Sequence, residues 1–426
     1  FFRCKLYTNH DTMILVYRRN GYGRPGAGFR NKKDGNRVFH MREVVEKTIN
    51  DCEAVEQQVK QTQTSTYDRL LSEWQKQDGA AFSLPQVVQE KRPTTFVEGK
   101  GFHAVTPPAV EEKKALRRIF AVIGKAMLAY LGIEYVLSFA VVQVLQLLHV
   151  DVTYYYDSGY ICGNVWAVLL MLFIVKVVKY LVPIWILHRS FRMPKKVAVP
   201  LKPVQPMAMV QGIPLVMVAF AVMNLWRGIN AHNTIRYSSI GTALQMLTYA
   251  SRPYQVIYFF FDLILVTALA NLLFRAEILQ VLRQFGDEFA VLVTSLLGVV
   301  MFHDAPAAPT LFLVYVICGC ATLQSGSLWA GILNLFVYRL LLFSLFHFEY
   351  LGGIWEKGKL IYLLILLAIG LAWTGIALAH RWIRKLPRSS PTSLKEKEKW
   401  QVILQDGSLM VVTLLCLVLA VISFIF

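Results

Sequence analysis

A few polar residues set among the apolar stretches of this chain are of the types that do acid–base chemistry. Arg275 and Glu277 stand two apart, His303 and Asp304 are adjacent, and Asn334 sits inside a later apolar run. A carboxylate beside a histidine is the combination that activates water, and an arginine or asparagine can polarise the carbonyl under attack. Each residue also has a plain structural role open to it. Glu277 fits a cytosolic helix extension with Arg275 and Arg283, Asn334 an interhelical hydrogen bond, Asp304 a helix end, and His303 the membrane interface. Arg339, deep in an apolar run, needs a counter-charge, for which Glu134, Glu277 and Asp262 are candidates.

Other chemistries find less support. There is no HExxH zinc helix, and Cys318-Gly319-Cys320 lacks the two-residue gap of a metal or redox pair, so neither a metal nor a cofactor is expected. The run from Gly353 to Lys359 approximates a phosphate-binding loop but is followed by Leu360, which has no hydroxyl for magnesium. Ser325-Gly326 precedes an apolar helix as a nucleophile would, yet Leu323 stands where a glycine is wanted and no histidine follows in a useful place.

The elements that must position these residues are membrane helices. Of 426 residues, 55% are hydrophobic and 17% charged, and mean hydropathy is +0.46; a soluble domain carries about 25% charged residues. The net charge of +17 lies before residue 118 and in the connections between apolar runs, where it faces anionic lipid; no nucleic-acid-binding module accompanies it. The pattern predicts an all-α polytopic bundle of about eight or nine spans, near 119–148, 161–187, 207–226, 254–274, 288–303, 309–323, 327–348, 359–380 and 408–426. Ahead of it, residues 1–117 form a cytosolic N-terminal region: a basic glycine-containing loop, a helix over 41–77 and a proline-containing linker. Met13 and Met41 are both candidate starts. Lys176 and Lys179 sit one turn apart in the second span, from which they can snorkel to its cytosolic end. With the N-terminus inside, eighteen basic residues fall on the cytosolic side of the connections and five on the other.

The stretch 270–339 resembles the CPBP family, the CAAX-protease and bacteriocin-processing intramembrane peptidases. Leu273-Phe274-Arg275, then Leu282-Arg283-Gln284-Phe285-Gly286-Asp287, Phe289-Ala290, Ser295 and His303, and finally Ser325 to Ala330 carry the resemblance, with a CPBP-like core over about 207–345. It implies a helical hairpin turning near Gly286, with His303 at the depth of Ala270. It also implies that Arg275 and His303 are remnants of the catalytic motifs. The paired glutamates of the family fall on Ala270 and Asn271, the second motif's phenylalanine on Val299, and the last motif's histidine and Asn/Asp on Leu335 and Arg339. Glu277, Asn334 and Asp304 are the available substitutes. The expectation is a catalytically degenerate scaffold binding a membrane peptide, lipid or partner protein, with a displaced active site or a transporter or channel subunit as alternatives. By analogy with bacterial members, the location is a bacterial inner membrane.

Overall fold

The structure is a computed structural model that describes residues 6–9, 12–15, 95–97, 101–103, 108–154, 161–201, 209–230, 252–302, 307–351, 354–379, 392 and 394–425. The helix expected over 41–77 lies outside them, as do His303 and Asp304. The chain divides into two compact units, Phe1–Ser65 and Thr66–Phe426. In the first, β1 (Leu6–Asn9) and β2 (Thr12–Leu15) pair antiparallel. In the second, β3 (Thr95–Val97) pairs with β4 (Gly101–His103) inside the stretch expected to be linker. Threonine, valine and the aromatic residues suit extended backbone, which accounts for strands where hydropathy alone suggested loop.

The second unit is a helical bundle. Helix α1 (Ala109–Leu147) follows Pro108, which sits at the first helical position where its missing N–H is harmless. It runs unbroken through the expected border at 117. After a short hairpin of β5 (Val152–Tyr154) and β6 (Ile161–Gly163), the side chain of Asn164 caps α2 (Val165–Phe191) by accepting from the backbone N–H of Trp166 and Ala167. Then come α3 (Ile213–Asn230), α4 (Pro253–Phe285), α5 (Asp287–Phe302), α6 (Ala308–Ser325), α7 (Leu328–Leu351), α8 (Ile354–Ala379), α9 (Glu396–Gln405) and α10 (Gly407–Ile425).

Among the described residues, six helices are long and apolar enough to cross a membrane, and seven if α9 and α10, bent by 74°, count as one span. The sequence expectation of eight or nine also counted Ile213–Trp226 and the 16-residue α5. At about 1.5 Å per residue, α5 reaches only ~24 Å, short of a ~30 Å hydrocarbon core. Large apolar side chains stand exposed along α2, α8 and α10, among them Leu170, Leu181, Ile365, Leu371, Leu414 and Leu417. Water would not tolerate so long an apolar band; lipid requires it. The chain is a multi-pass integral membrane protein.

The bundle closes by bringing its first and last helices together. The backbone N–H groups of Ser408 and Leu409 donate to Asp406 Oδ1, so the bend residue caps α10. Gly124 of α1 lies against that cap: a Cβ there would meet Ser408 Oγ and come within 2.7 Å of Ser408 Cβ and 3.0 Å of the Leu409 nitrogen. Gly132, two turns on, has open space around it. We therefore expect Gly124→Ala to destabilise the protein by about 1–3 kcal/mol through overpacking, while Gly132→Ala is neutral or stabilising. Thermal unfolding in detergent decides, and equal behaviour of the two variants would refute this packing.

Candidate functional site

The hairpin expected at Gly286 is present. A 3-10 turn over Arg283–Phe285 leads into Gly286 at φ 126°, a conformation open to glycine, and α5 returns from Asp287. Arg283 Nε donates to Asp287 Oδ1 at 2.9 Å across the turn. Lys399 of α9 clamps it from outside, its ammonium donating to the Phe285 carbonyl at 2.7 Å.

Within the hairpin, two expectations are corrected. Arg275 and Glu277 are not solvated as an extension into water would leave them; each is 2% exposed, because α4 continues past them for two more turns into packed surroundings. Arg275 lies over the Tyr315 ring, 4.8 Å from its centroid, and donates to the Tyr315 carbonyl at 2.8 Å. Glu277 faces away to α2, where its Oε1 stands 3.0 Å from His188 Nδ1. Asn334 differs too: its amide donates to the Ala330 carbonyl in its own helix, with no interhelical hydrogen bond among the described residues, and its side chain is pressed against Gly212. Arg275, Glu277 and Asn334 thus have three separate sets of contacts.

The positions aligned with the missing motif groups are closed. Ala270, Asn271 and Leu335 are all buried. Asn271 donates to the Thr267 carbonyl at 2.9 Å, and a Cβ added at Gly331 would lie 3.0 Å from its Oδ1 and collide with Thr322 Oγ1. Helix α7 therefore packs directly onto α4 and α6 here. Ser325 Oγ accepts from the Ser327 N–H at 3.2 Å and so finishes α6, and residues from Ile354 to Lys359 are helical, not a phosphate-cradling loop.

A different group of charged residues does converge. The apolar interior falls into two clusters. On α2, Val168 to Val175 belong to the smaller and Tyr180 to Phe191 to the larger, with Lys176 and Lys179 between them. The same division recurs on α1, where Glu134 lies between Leu131 and Val142, and on α4, where Asp262 lies between Tyr258 and Val266. Arg339 of α7 joins them. Lys179 is not snorkelling: it is 4% exposed and its ammonium sits 2.5 Å from Glu134 Oε1, over the Tyr130 ring at 4.9 Å. Of the three candidate partners for Arg339, Asp262 takes it, with Nη1 2.5 Å from Oδ2 and 3.2 Å from the Asp262 carbonyl. Lys176, half-buried, is within electrostatic reach of Lys179, Asp262, Glu134 and Arg339.

The backbone widens where the acids sit. Glu134, Asp262 and Glu277 each fall in a π-helical segment: Ile133–Leu137, Phe261–Val266 and Leu272–Ile278. Such turns leave carbonyls less well bonded and often mark functional positions. Here the Asp262 carbonyl accepts from Arg339, and the Glu134 carbonyl accepts from Ser138 Oγ.

Tyr258, one turn before Asp262 and wholly buried, is a member of this layer that the sequence reading did not single out. Its spacing from Asp262 was the available signal. No group of three or more His, Cys, Asp or Glu side chains able to hold a metal occurs among the described residues. Comparison with family models, curated proteins and solved structures finds no match for this chain.

The Asp262–Arg339 pair generates a prediction. Arg339→Met alone leaves a buried carboxylate uncompensated and should cost about 3–5 kcal/mol. Adding Asp262→Asn should recover part of that loss. A double-mutant cycle on thermal unfolding tests it; additive losses would mean the two side chains do not interact.

Proposed function

We propose that this chain is an intramembrane binding protein without hydrolase activity, a catalytically degenerate scaffold of the CPBP type. The observation that supports this reading best is the state of the motif positions. Ala270, Asn271 and Leu335 are buried with no carboxylate or imidazole, and Gly331 packs against Asn271 where a water and a scissile bond would have to fit. The charges that remain are engaged with protein: Arg275 with the Tyr315 carbonyl, Glu277 with His188, Arg339 with Asp262. A general base needs access to its water. In this reading the N-terminal region faces the cytosol of a bacterial inner membrane, in keeping with the excess of basic residues on that side even after Arg275 is withdrawn into the core.

A second reading, a transporter or channel subunit, draws on one observation: a charged layer lies between two apolar clusters on several helices. Ionisable residues at such depth mark ion and solute paths in transporters, and liposome uptake of a labelled solute tests it.

For the main reading, purified full-length protein in lipid should leave prenylated and signal-like peptides intact over hours, and His303→Ala and Glu277→Gln should behave as the parent does. Cleavage by the parent that either substitution abolishes would sink the proposal in favour of a displaced active site.

A further inference from the structure

The cations at the basic end of α2 differ from those elsewhere in the bundle. Arg283 on the neighbouring hairpin pairs with Asp287, and Lys399 with Glu396. Arg189, Arg192, Lys195 and Lys196, four cations within eight residues, are all exposed, and none makes an ion pair among the described residues. Their own stretch of chain offers no acid, for the sequence holds no Asp or Glu from Ser158 to Phe261. Glu277, the carboxylate that α4 turns toward this end of α2, is buried against His188.

The segment that carries these charges is fixed in place. Phe191, Met193, Val197 and Ala198 are buried in the larger apolar cluster. The Val197 and Ala198 N–H groups donate to the Pro194 carbonyl and so open a helical turn over Lys195–Ala198. Beyond it, the Pro200 carbonyl accepts from the Leu328 N–H of α7 at 2.8 Å. With the apolar side chains turned inward, the cations are held on the outside. Arg192, at the end of α2, takes the left-handed backbone, φ 49° and ψ 34°. Glycine is the residue that reaches this conformation without penalty. An arginine kept there, exposed and without an ion pair in the chain, points to a partner outside it.

The depth of the patch says where that partner lies. The Arg189 guanidinium stands 5.6 Å from the centroid of the Trp185 ring, one turn back along α2. Trp185 is 61% exposed, and Leu181, a further turn into the span, is 46% exposed. Tryptophan favours the boundary between acyl chains and headgroups. Leucine, tryptophan and arginine therefore follow one another along one stripe of α2, from acyl chain to headgroup.

We propose that the basic end of α2 is a binding site for a diphosphatidylglycerol lipid, with its phosphates on Arg189, Arg192, Lys195 and Lys196 and its acyl chains along Trp185 and Leu181. The cations come as two pairs, Arg189 with Arg192 and Lys195 with Lys196, which suits a headgroup with two phosphates. The arginine fork matches phosphate oxygens, and lysine supplies point charge. A soluble phosphate would leave the apolar part of the stripe uncovered. The inference goes beyond the reading of the chain as a binding protein and does not depend on it; peptide cleavage would overturn that reading and leave this site untouched.

The test follows thermal unfolding of the full chain in neutral detergent, titrated with diphosphatidylglycerol or with phosphatidylglycerol at matched phosphate and fixed ionic strength. A lipid that binds only the folded protein raises the midpoint with concentration. Diphosphatidylglycerol should give a saturable rise at roughly tenfold lower phosphate or less, because its two phosphates are linked. Arg189→Gln and Lys195→Gln should each weaken that response about fivefold, as loss of one cation at an anionic surface does. Lys113→Gln with Lys114→Gln removes two exposed charges from α1 and should change it little. Arg192→Gly should weaken the lipid response while leaving the lipid-free midpoint equal or higher, since glycine suits the backbone there. Four results would overturn the proposal: equal response to the two lipids, an unchanged response in the α2 variants, an equal loss in the α1 variant, or a lower lipid-free midpoint in Arg192→Gly, which would mean that the arginine serves the fold.

Discussion

Charge that cannot leave the bilayer organises this molecule. A carboxylate or ammonium moved from water to an apolar interior costs several kcal/mol even after relaxation, which favours arrangements that bring opposite charges on different helices together. Lys179 reaches Glu134 and Arg339 reaches Asp262, and Glu277 has the His188 ring nitrogen at hydrogen-bonding distance. These contacts join α2 to α1, α7 to α4 and α2 to α4. Apolar packing against lipid-like surroundings offers little preference for one helix neighbour over another. The ion pairs supply that preference, because any other arrangement of these helices strands a charge.

The acids of these pairs share a backbone feature. Each lies where the helix widens from the usual i→i−4 bonding, which shifts the side chain's direction and frees a carbonyl nearby. At Asp262 both effects are used together, since Arg339 bonds its side chain and its carbonyl. The widened turns therefore extend the acceptor capacity of a short carboxylate. Two of the three, around Glu134 and Asp262, fall at the level where the interior divides into two apolar clusters.

Much of this was readable from sequence, and the limits have a physical cause. Hydropathy located α2, α6, α7, α8 and α10 within a few residues, because long apolar runs have few other fates. The hairpin at Gly286 was expected only through the resemblance over 270–339, not from hydropathy. What hydropathy misread was α4, which it ended near residue 274 because Arg275 and Glu277 look like an exit into water. Their partners are Tyr315, 40 residues away, and His188, 89 residues away, and no local pattern reveals a neutralising group at that separation. Lys179 was misread for the same reason: a lysine in a span either snorkels or pairs, and Glu134 is 45 residues back. Asp262 could be named as a possible partner of Arg339 but not chosen over Glu134 and Glu277, because the choice belongs to helix packing. The resemblance in 270–339 directed attention to Arg275 and Asn334, which bond the backbone carbonyls of Tyr315 and Ala330, and away from Tyr258.

The contact between α1 and α10 bears on how the protein is made. The Leu394 N–H donates to Glu112 at 3.1 Å, and Gly124 receives the cap at Ser408, so the earliest helix of the bundle is completed by its latest. Chains emerge from the ribosome N-terminus first. Throughout synthesis α1 must wait with a small-residue face uncovered and the Glu112 carboxylate without its backbone donor. The bundle is sealed only once α9 and α10 have been made, so a chain cut before Leu394 keeps the Lys179–Glu134 and Arg339–Asp262 pairs but lacks this closure.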